Sequence, residues 1–583
     1  MICWKIAGAG ALLFLAVAPL ASAQTNNVCD MAGESPDVIV GDIQGTFRHG
    51  VAGGITAFSI GMAACNTGSC WLNWIANSPA HPVIGANMFR LKNGRFEQIG
   101  QSWLKHGFGA ASETLCSPNC IPSDGMHLGV NCSDPYLARQ NGTQSGLGPK
   151  FEVNPTTGVF PYPPTNGSLT GNAIYKRLQV HNADLDPALN TGAQYFVEGQ
   201  YVTADDAAAG NQNNNASYRP ITVSGNAPTF NISLTGATAS TKAGIEAWKT
   251  IDPAVVQTDI NVNSDGRYIL AATWTSLGGG LYHYEYALQN LNSYRAAGSF
   301  SVPIPSGAHI TNAGFHDVDY HSGEPFDGTD WTATVGASSV VWSTTPYATN
   351  VNANALRWGT LYNFRFDADV QPATHTVTIG LFRPGSPASV TATMCVPNGI
   401  CEPGETPCQC AVDCGAPHAR EFPCTGGADE DCDGLVDCAD PDCCTDPACP
   451  GNDADGDGVH SCENDCDDAN GLVWATPGEA RNLWITKTDT GGSILLGWDP
   501  PANTGGTAWT YDLLRSENPG EFFNVASCLL CAVPLAPACA DGTNPGVSGV
   551  FYYLVRAHNA CPSGDGIITI DSNGTPRGGR SCR

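Results

Sequence analysis

The chain has 583 residues, 25 cysteines and a formal net charge of −28. This acidity argues against a nucleic-acid partner, because phosphate binding needs a basic surface, and the length indicates several domains. Charged residues make up only 14 % of the chain, whereas 67 glycines and 40 prolines are present. Such a composition is typical of a turn-rich, mainly β extracellular protein rather than a helical one.

The first residues carry the pattern of a secretory signal peptide. Lys5 precedes an apolar stretch from Ile6 to Leu20, and residues 21–23 read Ala-Ser-Ala, a small-residue cleavage site. The apolar stretch is too short for a comfortable transmembrane helix. We predict that residues 1–23 are removed. The mature chain would then be secreted, extracellular or at the cell surface, with no transmembrane segment.

The cysteines predict a disulfide framework. Loss of Cys3 with the signal peptide leaves an even number, which in an exported chain is typical of disulfide pairing. Thirteen cysteines lie from Cys395 to Cys466 and five from Cys528 to Cys582. Because both counts are odd, at least one disulfide is expected to join these segments if all the cysteines are oxidised and the first six pair among themselves.

Residues 24–261 are predicted to form a β-rich N-terminal domain. Short strand-like runs alternate there with long loops rich in Gly, Asn and Pro. One amphipathic helix is expected from Thr241 to Val256, because Ile245, Trp248 and Ile251 recur at helical spacing.

Residues 262–390 are predicted to form an Ig-like β-sandwich. Tyr282, Tyr284 and Tyr286 alternate with other residues, as expected of a strand with one buried face. About seven runs of this kind follow one another at the spacing of a sandwich. Residues 29–390 as a whole resemble uncharacterised exported bacterial proteins, and this resemblance implies no catalytic residues.

Two groups in this block are candidates for chemistry. In the run from His316 to His321, Asp317, Asp319 and His321 would share one face of a strand and could hold a metal ion. The alternative is an ordinary polar face leading into a turn. His106 is a second candidate, although a single His beside a Trp is more often packed than catalytic. Serine-nucleophile, zinc-protease and phosphate-loop motifs are missing, so an enzyme is not favoured.

Residues 391–477 are predicted to be a Cys/Asp-rich, metal-binding spacer. From Asp429 to Asp440 the sequence reads Asp-Glu-Asp-Cys-Asp-Gly-Leu-Val-Asp-Cys-Ala-Asp, which places carboxylates at loop positions 1, 3, 5, 9 and 12 and glycine at position 6. This spacing lets one turn of backbone wrap a hard cation, with the carbonyl of position 7 as a further ligand. The alternative is a solvated acidic linker. A second loop begins at Asp453, and acids just beyond it could complete its shell. The predicted ligands are Asp429, Asp431, Asp433, Leu435, Asp437, Asp440, Asp453, Asp455, Asp457, Asp465 and Asp467.

The first loop resembles the calcium loops of thrombospondin type 3 repeats, although position 12 is Asp rather than Glu and Cys432 and Cys438 lie inside it. Residues 452–479 resemble the metal-binding motif of MopE-like exported bacterial proteins, one of which is associated with copper. In this chain the motif at residues 452–479 contains only His460 as a soft ligand, so calcium is the expected ion.

Residues 478–583 are predicted to form a second type of sandwich. Ile494, Leu496 and Trp498 alternate, and residues 551–559 read Phe-Tyr-Tyr-Leu-Val-Arg-Ala-His-Asn. Over residues 478–575 the chain resembles a fibronectin type III module. Phe551 stands where the family has a corner tyrosine, so the hydrogen bond of that hydroxyl would be missing.

These patterns together predict a mainly β, multidomain fold with β-sandwich domains joined by a disulfide-rich calcium-loop spacer. The favoured function is that of an exported, non-enzymatic protein that binds an extracellular ligand, with a polysaccharide or a protein as the candidates. Two alternatives stay open: a secreted enzyme with its active site in residues 29–390, and a MopE-like surface protein that scavenges metal.

Overall fold

A computed structural model describes Cys29 and residues 34–107, 109–397, 399–401, 405–408, 410–427, 429–432, 435–443, 446, 448–449, 455, 459, 465–467, 469–487, 493–519, 521–522, 525–529, 538–543, 545, 549–561, 579–580 and 582. The predicted signal peptide, residues 1–23, lies outside this set. The chain divides into two compact units, Met1–Val396 and Pro397–Arg583. Strands dominate the secondary structure of both, which confirms the mainly β, multidomain fold class.

The first part of the N-terminal unit is built on one large antiparallel sheet. Eleven strands belong to it, with the main order β1-β2-β10-β5-β4-β11-β12-β13 and with β6, β8 and β9 attached beside this path. Of the thirteen strands described in this part, the other two, β3 and β7, pair with each other in a small separate sheet. The strands are β1 Val38–Ala52, β2 Ile55–Asn66, β3 Leu72–Asn73, β4 Val83–Lys92, β5 Arg95–Gln101, β6 Leu104–His106, β7 His127–Leu128, β8 Ser133–Tyr136, β9 Leu147–Gly148, β10 Leu178–His181, β11 Gln194–Val202, β12 Ala216–Asn226 and β13 Thr229–Leu234.

The large sheet curls around its own core. Alternate residues of β13, Phe230 and Ile232, are buried while their neighbours face solvent, as the two-residue period of a strand requires. The Thr46 hydroxyl of β1 donates to the Ile232 carbonyl at 2.8 Å, although β1 and β13 stand at opposite ends of the sheet order. The two edges therefore approach each other.

The second part of the N-terminal unit is a β-sandwich. Its two five-stranded sheets have the orders β14-β15-β16-β21-β18 and β19-β20-β17-β22-β23. Aromatic side chains from both sheets fill the space between them, and the Phe300 and Phe364 rings stack at 4.5 Å. The strands are β14 Val256–Asn261, β15 Arg267–Gly278, β16 Leu281–Asn290, β17 Ala297–Pro303, β18 Ile310–His316, β19 Thr332–Val335, β20 Ser339–Ser343, β21 Thr360–Ala368, β22 His375–Leu381 and β23 Ser389–Met394.

The large sheet and the sandwich share an interface inside this unit. A buried apolar cluster joins Phe96 and Trp248 to Leu361 of the sandwich. Arg95 pairs with Glu285 at 2.9 Å, and the Gln98 side chain accepts a hydrogen bond from the Leu361 amide at 2.7 Å. The two β layers therefore pack as one body through matched apolar and polar contacts.

Helices are short, and the expected helix from Thr241 to Val256 is wrong in extent. The helix spans only Glu246–Ile251. Thr241 has a φ of 61°, which a helix interior does not permit. At the other end Asp252 precedes a proline, a position that disfavours the helical conformation. The helices are α1 Ala138–Asn141, α2 Asn182–Leu185, α3 Ala204–Ala208, α4 Glu246–Ile251 and α5 Ala411–Cys414. In the described part of the chain no helix is long and apolar enough to span a membrane.

The C-terminal unit ends in two three-stranded sheets, β24-β25-β28 and β27-β26-β29. Leu496 and Trp498 from one sheet and Leu513 and Val555 from the other form their common core. The strands are β24 Arg481–Lys487, β25 Ile494–Asp499, β26 Thr510–Ser516, β27 Ser527–Leu529, β28 Ala538–Asp541 and β29 Tyr552–His558.

Disulfides replace an apolar core in the Cys/Asp-rich segment. Four of the bridges given below lie within it, and Cys466–Cys561 joins it to the residues that follow β29 of the terminal sandwich, as the odd cysteine counts predict. The described bridges are Cys29–Cys70, Cys65–Cys116, Cys120–Cys132, Cys401–Cys414, Cys408–Cys432, Cys424–Cys443, Cys438–Cys449, Cys466–Cys561 and Cys528–Cys582. This density is typical of extracellular proteins.

Candidate functional site

Three carboxylates converge in the Cys/Asp-rich segment. One oxygen from each of Glu421, Asp431 and Asp440 lies within 4.8 Å of the other two. Glu421 and Asp440 are only 3 % and 2 % exposed. Ionised carboxylates at this separation repel one another unless a cation or a proton lies between them. We call these three residues the acidic cluster.

Backbone hydrogen bonds hold Glu421 in its charged form. The amides of Asp437 and Glu430 donate to its two carboxylate oxygens, each at 2.9 Å. These bonds keep the pKa of Glu421 below its usual value. The loop that follows is thereby wrapped around the Glu421 side chain, which places Asp431 and Asp440 next to it.

Disulfides fix the chain on both sides of the acidic cluster. Cys432, next to Asp431, is bonded to Cys408. Cys424, three residues after Glu421, is bonded to Cys443, three residues after Asp440. The carboxylates are therefore positioned by covalent links rather than by flanking helices.

Other ligands expected from the loop spacing have different roles. Asp429 accepts a hydrogen bond from the Cys432 amide at 2.7 Å, and Asp437 accepts one from the Gly427 amide at 2.9 Å. Both side chains therefore shape turns, and neither belongs to the acidic cluster. Leu435 is exposed and is likewise not part of it.

The second predicted loop is described only in part. Asp433 of the first loop and Asp453 and Asp457 of the second lie outside the described residues. Asp465 accepts a hydrogen bond from the Asp467 amide at 2.9 Å. Among the described positions, Asp455, Asp465 and Asp467 do not join any group of three potential ligands.

Sequence spacing does not reveal Glu421. It precedes Asp429 by eight residues and so falls outside the twelve-position pattern. The only signal is its place in a segment with 19 acidic residues from Glu402 to Asp468 and a single basic residue, Arg420. Arg420 is exposed and lies 3.8 Å from Asp442, so that ion pair does not involve a member of the acidic cluster.

Cysteine sulfur is not available as a soft ligand beside the carboxylates. Cys401 and Cys414 lie next to Glu405 in a metal-like arrangement, but the two sulfurs are bonded to each other. A disulfide sulfur is not the thiolate that binds soft metals. The donor set of the acidic cluster is therefore oxygen alone, the type that hard cations such as calcium prefer.

A second concave site lies in the N-terminal unit. A cavity of about 380 Å³ opens between β5, β10 and the segment that follows β18. Its volume is within the range of small-molecule sites. Its lining includes seven His and Asp side chains, namely His181, Asp184, His316, Asp317, Asp319, His321 and Asp330.

The polar groups of this cavity are ordered by hydrogen bonds. His181 Nε2 lies 2.8 Å from an Asp319 carboxylate oxygen, and Arg90 pairs with Asp184 at 2.9 Å. Asp317 accepts a hydrogen bond from the Asn354 amide. Burial raises the pKa of Asp317, and the charges of Asp330 and Asp319 act in the same direction.

The candidate metal group from His316 to His321 does not form on a strand face. Strand β18 ends at His316, so the run to His321 is not a strand and its alternate residues share no face. His321 Nε2 lies 2.8 Å from the Gln101 carbonyl oxygen, and its Nδ1 lies 2.9 Å from the Ser322 hydroxyl. Within the described residues these side chains give no group of three convergent ligands.

His106 lies in a different environment. Its Nδ1 is 2.9 Å from His81 Nε2, and both rings pack against Phe160 and Tyr162. Burial lowers the pKa of His106 to about 3 and that of His81 to about 4. The pair is therefore a neutral, packed element of the core.

Comparisons with known proteins do not assign the chain to a family or a function. No protein family matches the sequence, and no curated protein matches it. A serine-rich repeat adhesion glycoprotein of Streptococcus agalactiae aligns with 63 % of this chain and all of its own, at 8 % identity and a TM-score of 0.16. The N-terminal domain of a Streptococcus gordonii adhesin aligns with 64 % of this chain and 99 % of its own, at 10 % identity and a TM-score of 0.14. Scores this low carry no argument about fold or function.

Proposed function

We propose that this chain is an exported, non-enzymatic modular protein that binds calcium and acts in extracellular binding or adhesion. The observation that carries the proposal is the convergence of Glu421, Asp431 and Asp440 in a disulfide-fixed loop. Calcium takes six to eight oxygen ligands. Three carboxylates supply three of these ligands if each binds through one oxygen, and more if any binds through both. Carbonyl groups and water would complete the shell.

The energetic role of the ion follows from the composition of the segment. The segment contains few apolar residues, and its acids greatly outnumber its bases, so chain entropy and charge repulsion both oppose folding. An ion that binds only the folded form stabilises it by mass action. Calcium would thus order the segment in millimolar extracellular calcium and release it when calcium is removed.

The test is the response of the full mature protein to calcium. Thermal unfolding and protease resistance are measured after chelation and again with calcium at about 10⁻³ M, the range of extracellular modules. We expect calcium to raise the midpoint of the C-terminal unit. Glu421→Gln should abolish this response. Asp446→Asn is the matched control, because Asp446 only accepts a hydrogen bond from the Ala448 amide and Asn keeps that turn.

The ligand itself is a polysaccharide or a protein in this proposal. Immobilised polysaccharides and extracellular matrix proteins are offered to the mature protein with calcium and with chelator. Retention that needs calcium and is lost in Glu421→Gln supports a calcium-ordered binding protein. Equal retention with calcium and with chelator would show that ligand binding does not depend on an ion at the acidic cluster.

A second candidate function is hydrolysis in the N-terminal cavity, favoured by the His181–Asp319 pair and His316 on its wall. A screen on glycans, esters and peptides decides it. Turnover lost in His181→Ala and His316→Ala but kept in the exposed control His309→Ala would place the protein among enzymes. Turnover unaffected by these changes would exclude this cavity as the active site.

A further inference from the structure

Three chemically complementary side chains meet in the core of the N-terminal unit, far in sequence from one another. Lys150, Asn87 and Glu198 are 5 %, 3 % and 0 % exposed. Asn87 of β4 and Glu198 of β11 are direct partners in the antiparallel ladder, so their side chains lie on the same face of the sheet. Lys150 opens the short 3₁₀ turn Lys150–Glu152.

The three groups form one continuous hydrogen-bonded chain. Lys150 Nζ donates to Asn87 Oδ1 at 3.3 Å, and Asn87 Nδ2 donates to Glu198 Oε1 at 2.7 Å. Because a C=O bond is about 1.23 Å long, Nζ lies no farther than about 4.5 Å from Asn87 Cγ. Attack requires Nζ to move about 1 Å closer to Cγ, to the separation of roughly 3–3.5 Å at which groups react.

Surrounding contacts hold the lysine and the carboxylate in place. Nζ also donates to Gln101 Oε1 at 3.1 Å and to the Gly359 carbonyl at 3.3 Å. Gly359 has a φ of 68°, which favours glycine, and a Cβ there would make a tight contact of 3.2 Å with Nζ. Glu198 Oε2 accepts hydrogen bonds from the Gly244 amide at 2.6 Å and from Gln289 Nε2 at 2.8 Å.

The site also supplies a reactive form of the lysine. Burial lowers the pKa of Lys150 to about 8, against the opposing charges of Glu324 and Glu198. This lowering makes the neutral amine more accessible near neutral pH than it is in a solvated lysine. The neutral amine is the nucleophile in attack on a carbonyl carbon.

We propose that Lys150 and Asn87 join in an intramolecular amide cross-link, with Glu198 as the proton-transfer group. The Nζ lone pair forms a bond to Asn87 Cγ, and the Cγ–Nδ2 bond breaks. The proton lost by Nζ passes through the Glu198 carboxylate to Nδ2, which leaves as ammonia. One amine and one carboxamide thus give one secondary amide and one ammonia, with no oxidant, metal or cofactor.

The link would close a covalent loop between positions 63 residues apart. It would tie β4 of the large sheet to the 3₁₀ turn beside Trp358 of the sandwich, over whose ring Nζ lies at 5.9 Å. Unlike the disulfides of this unit, an amide resists reduction. The N-terminal unit would therefore keep one cross-link in a reducing environment.

The experiment is peptide mapping of the full mature protein after denaturation, reduction and alkylation. We expect trypsin to leave the bond after Lys150 uncut and to release one branched peptide that contains Lys150 and Asn87 and lacks one ammonia. Lys176 is the internal control. It is also fully buried, but its Nζ donates only to backbone carbonyls, so trypsin should cut after it. Complete cleavage after Lys150 in the wild-type protein would overturn the proposal.

Variants separate the roles of the three residues. Lys150→Arg and Asn87→Ala should each remove the branched peptide. Glu198→Gln should lower its yield at least tenfold, while near-ultraviolet circular dichroism reports whether the fold is kept. An unchanged yield in Glu198→Gln would exclude this carboxylate as the proton carrier. Because Asn and Gln elsewhere also lose ammonia, the branched peptide and not the intact mass is the readout.

Discussion

Cys466 of the Cys/Asp-rich segment is bonded to Cys561, which follows the last strand of the terminal sandwich. The bridge closes a loop of 95 residues. A cross-link of this span restricts the unfolded chain strongly, because the entropy it removes grows with loop length. The segment with the acidic cluster and the sandwich are thus covalently joined at a second point besides the main chain.

Removal of this bridge should destabilise the C-terminal unit. In the double variant Cys466→Ser and Cys561→Ser we expect the free energy of unfolding of that unit to fall by about 2 to 4 kcal/mol. Pulse proteolysis in urea, read from fragments of each unit, measures it. The matched control is Cys29→Ser with Cys70→Ser, which should affect the N-terminal unit alone. An unchanged urea midpoint of the C-terminal unit would contradict the expected role of the bridge.

The terminal sandwich should depend on the ion pair of Asp512. Its carboxylate bonds Arg556 at 2.7 Å, and the two side chains are 2 % and 5 % exposed. Asp512→Asn leaves the Arg556 charge buried without its partner, so the unfolding free energy should fall by about 3 to 5 kcal/mol. Asp499→Asn, an exposed position on β25, is the control. Equal stability of the two variants would argue against the ion pair.

The same carboxylate predicts a loss of stability in acid. Burial opposes ionisation of Asp512, but hydrogen bonds from His558 and Arg556 outweigh it and lower its pKa to about 2. In the unfolded chain an Asp has a pKa of about 3.9. Its contribution is therefore full above pH ~4 and is lost as the pH falls through about 2. Urea unfolding of the wild type and of Asp512→Asn across this window measures the difference, which should vanish at the acid end.

The neutral histidine pair predicts a pH dependence in the N-terminal unit. Burial lowers the pKa of His81 to about 4 and of His106 to about 3, whereas both are about 6.5 in the unfolded chain. Below that value the unfolded state binds more protons, so stability should fall as the pH drops from about 6.5 to about 4. The double variant His81→Gln and His106→Gln should flatten this slope in urea unfolding. His309→Gln, at an exposed site, should leave it unchanged, and a slope kept in the double variant would refute the assignment.

Much of the fold follows from local sequence patterns. The alternating tyrosines 282, 284 and 286 lie in β16, as the two-residue period of a strand predicts. Glu285 and Ala287 on the opposite face are buried as well, because the large sheet packs against that face. The odd cysteine counts predicted a bridge between two segments, and Cys466–Cys561 is such a bridge. The first inference needs only the two-residue period of a strand, and the second needs only the fact that both cysteine counts are odd. Neither depends on how distant parts of the chain pack.

The candidate sites were harder to predict because they depend on packing. Glu421 joins Asp431 through a loop that wraps around it, and no spacing rule includes a residue that far upstream. The expected strand face of His316 to His321 is wrong because β18 stops at His316. Asn87, Lys150 and Glu198 show no motif at all. Their meeting depends on strand register, which the sequence does not display.

Calorimetric titration of the full mature protein tests the central claim most directly. The protein is stripped with chelator, kept oxidised, and titrated first with calcium and then with copper. The account predicts a heat of calcium binding with a dissociation constant of about 10⁻⁴ to 10⁻³ M, lost in Glu421→Gln and kept in Asp446→Asn. It also predicts that copper does not displace calcium, because the donors of the acidic cluster are carboxylate oxygens. No calcium heat in the wild-type protein, or tight copper retention after calcium is removed, would contradict the account.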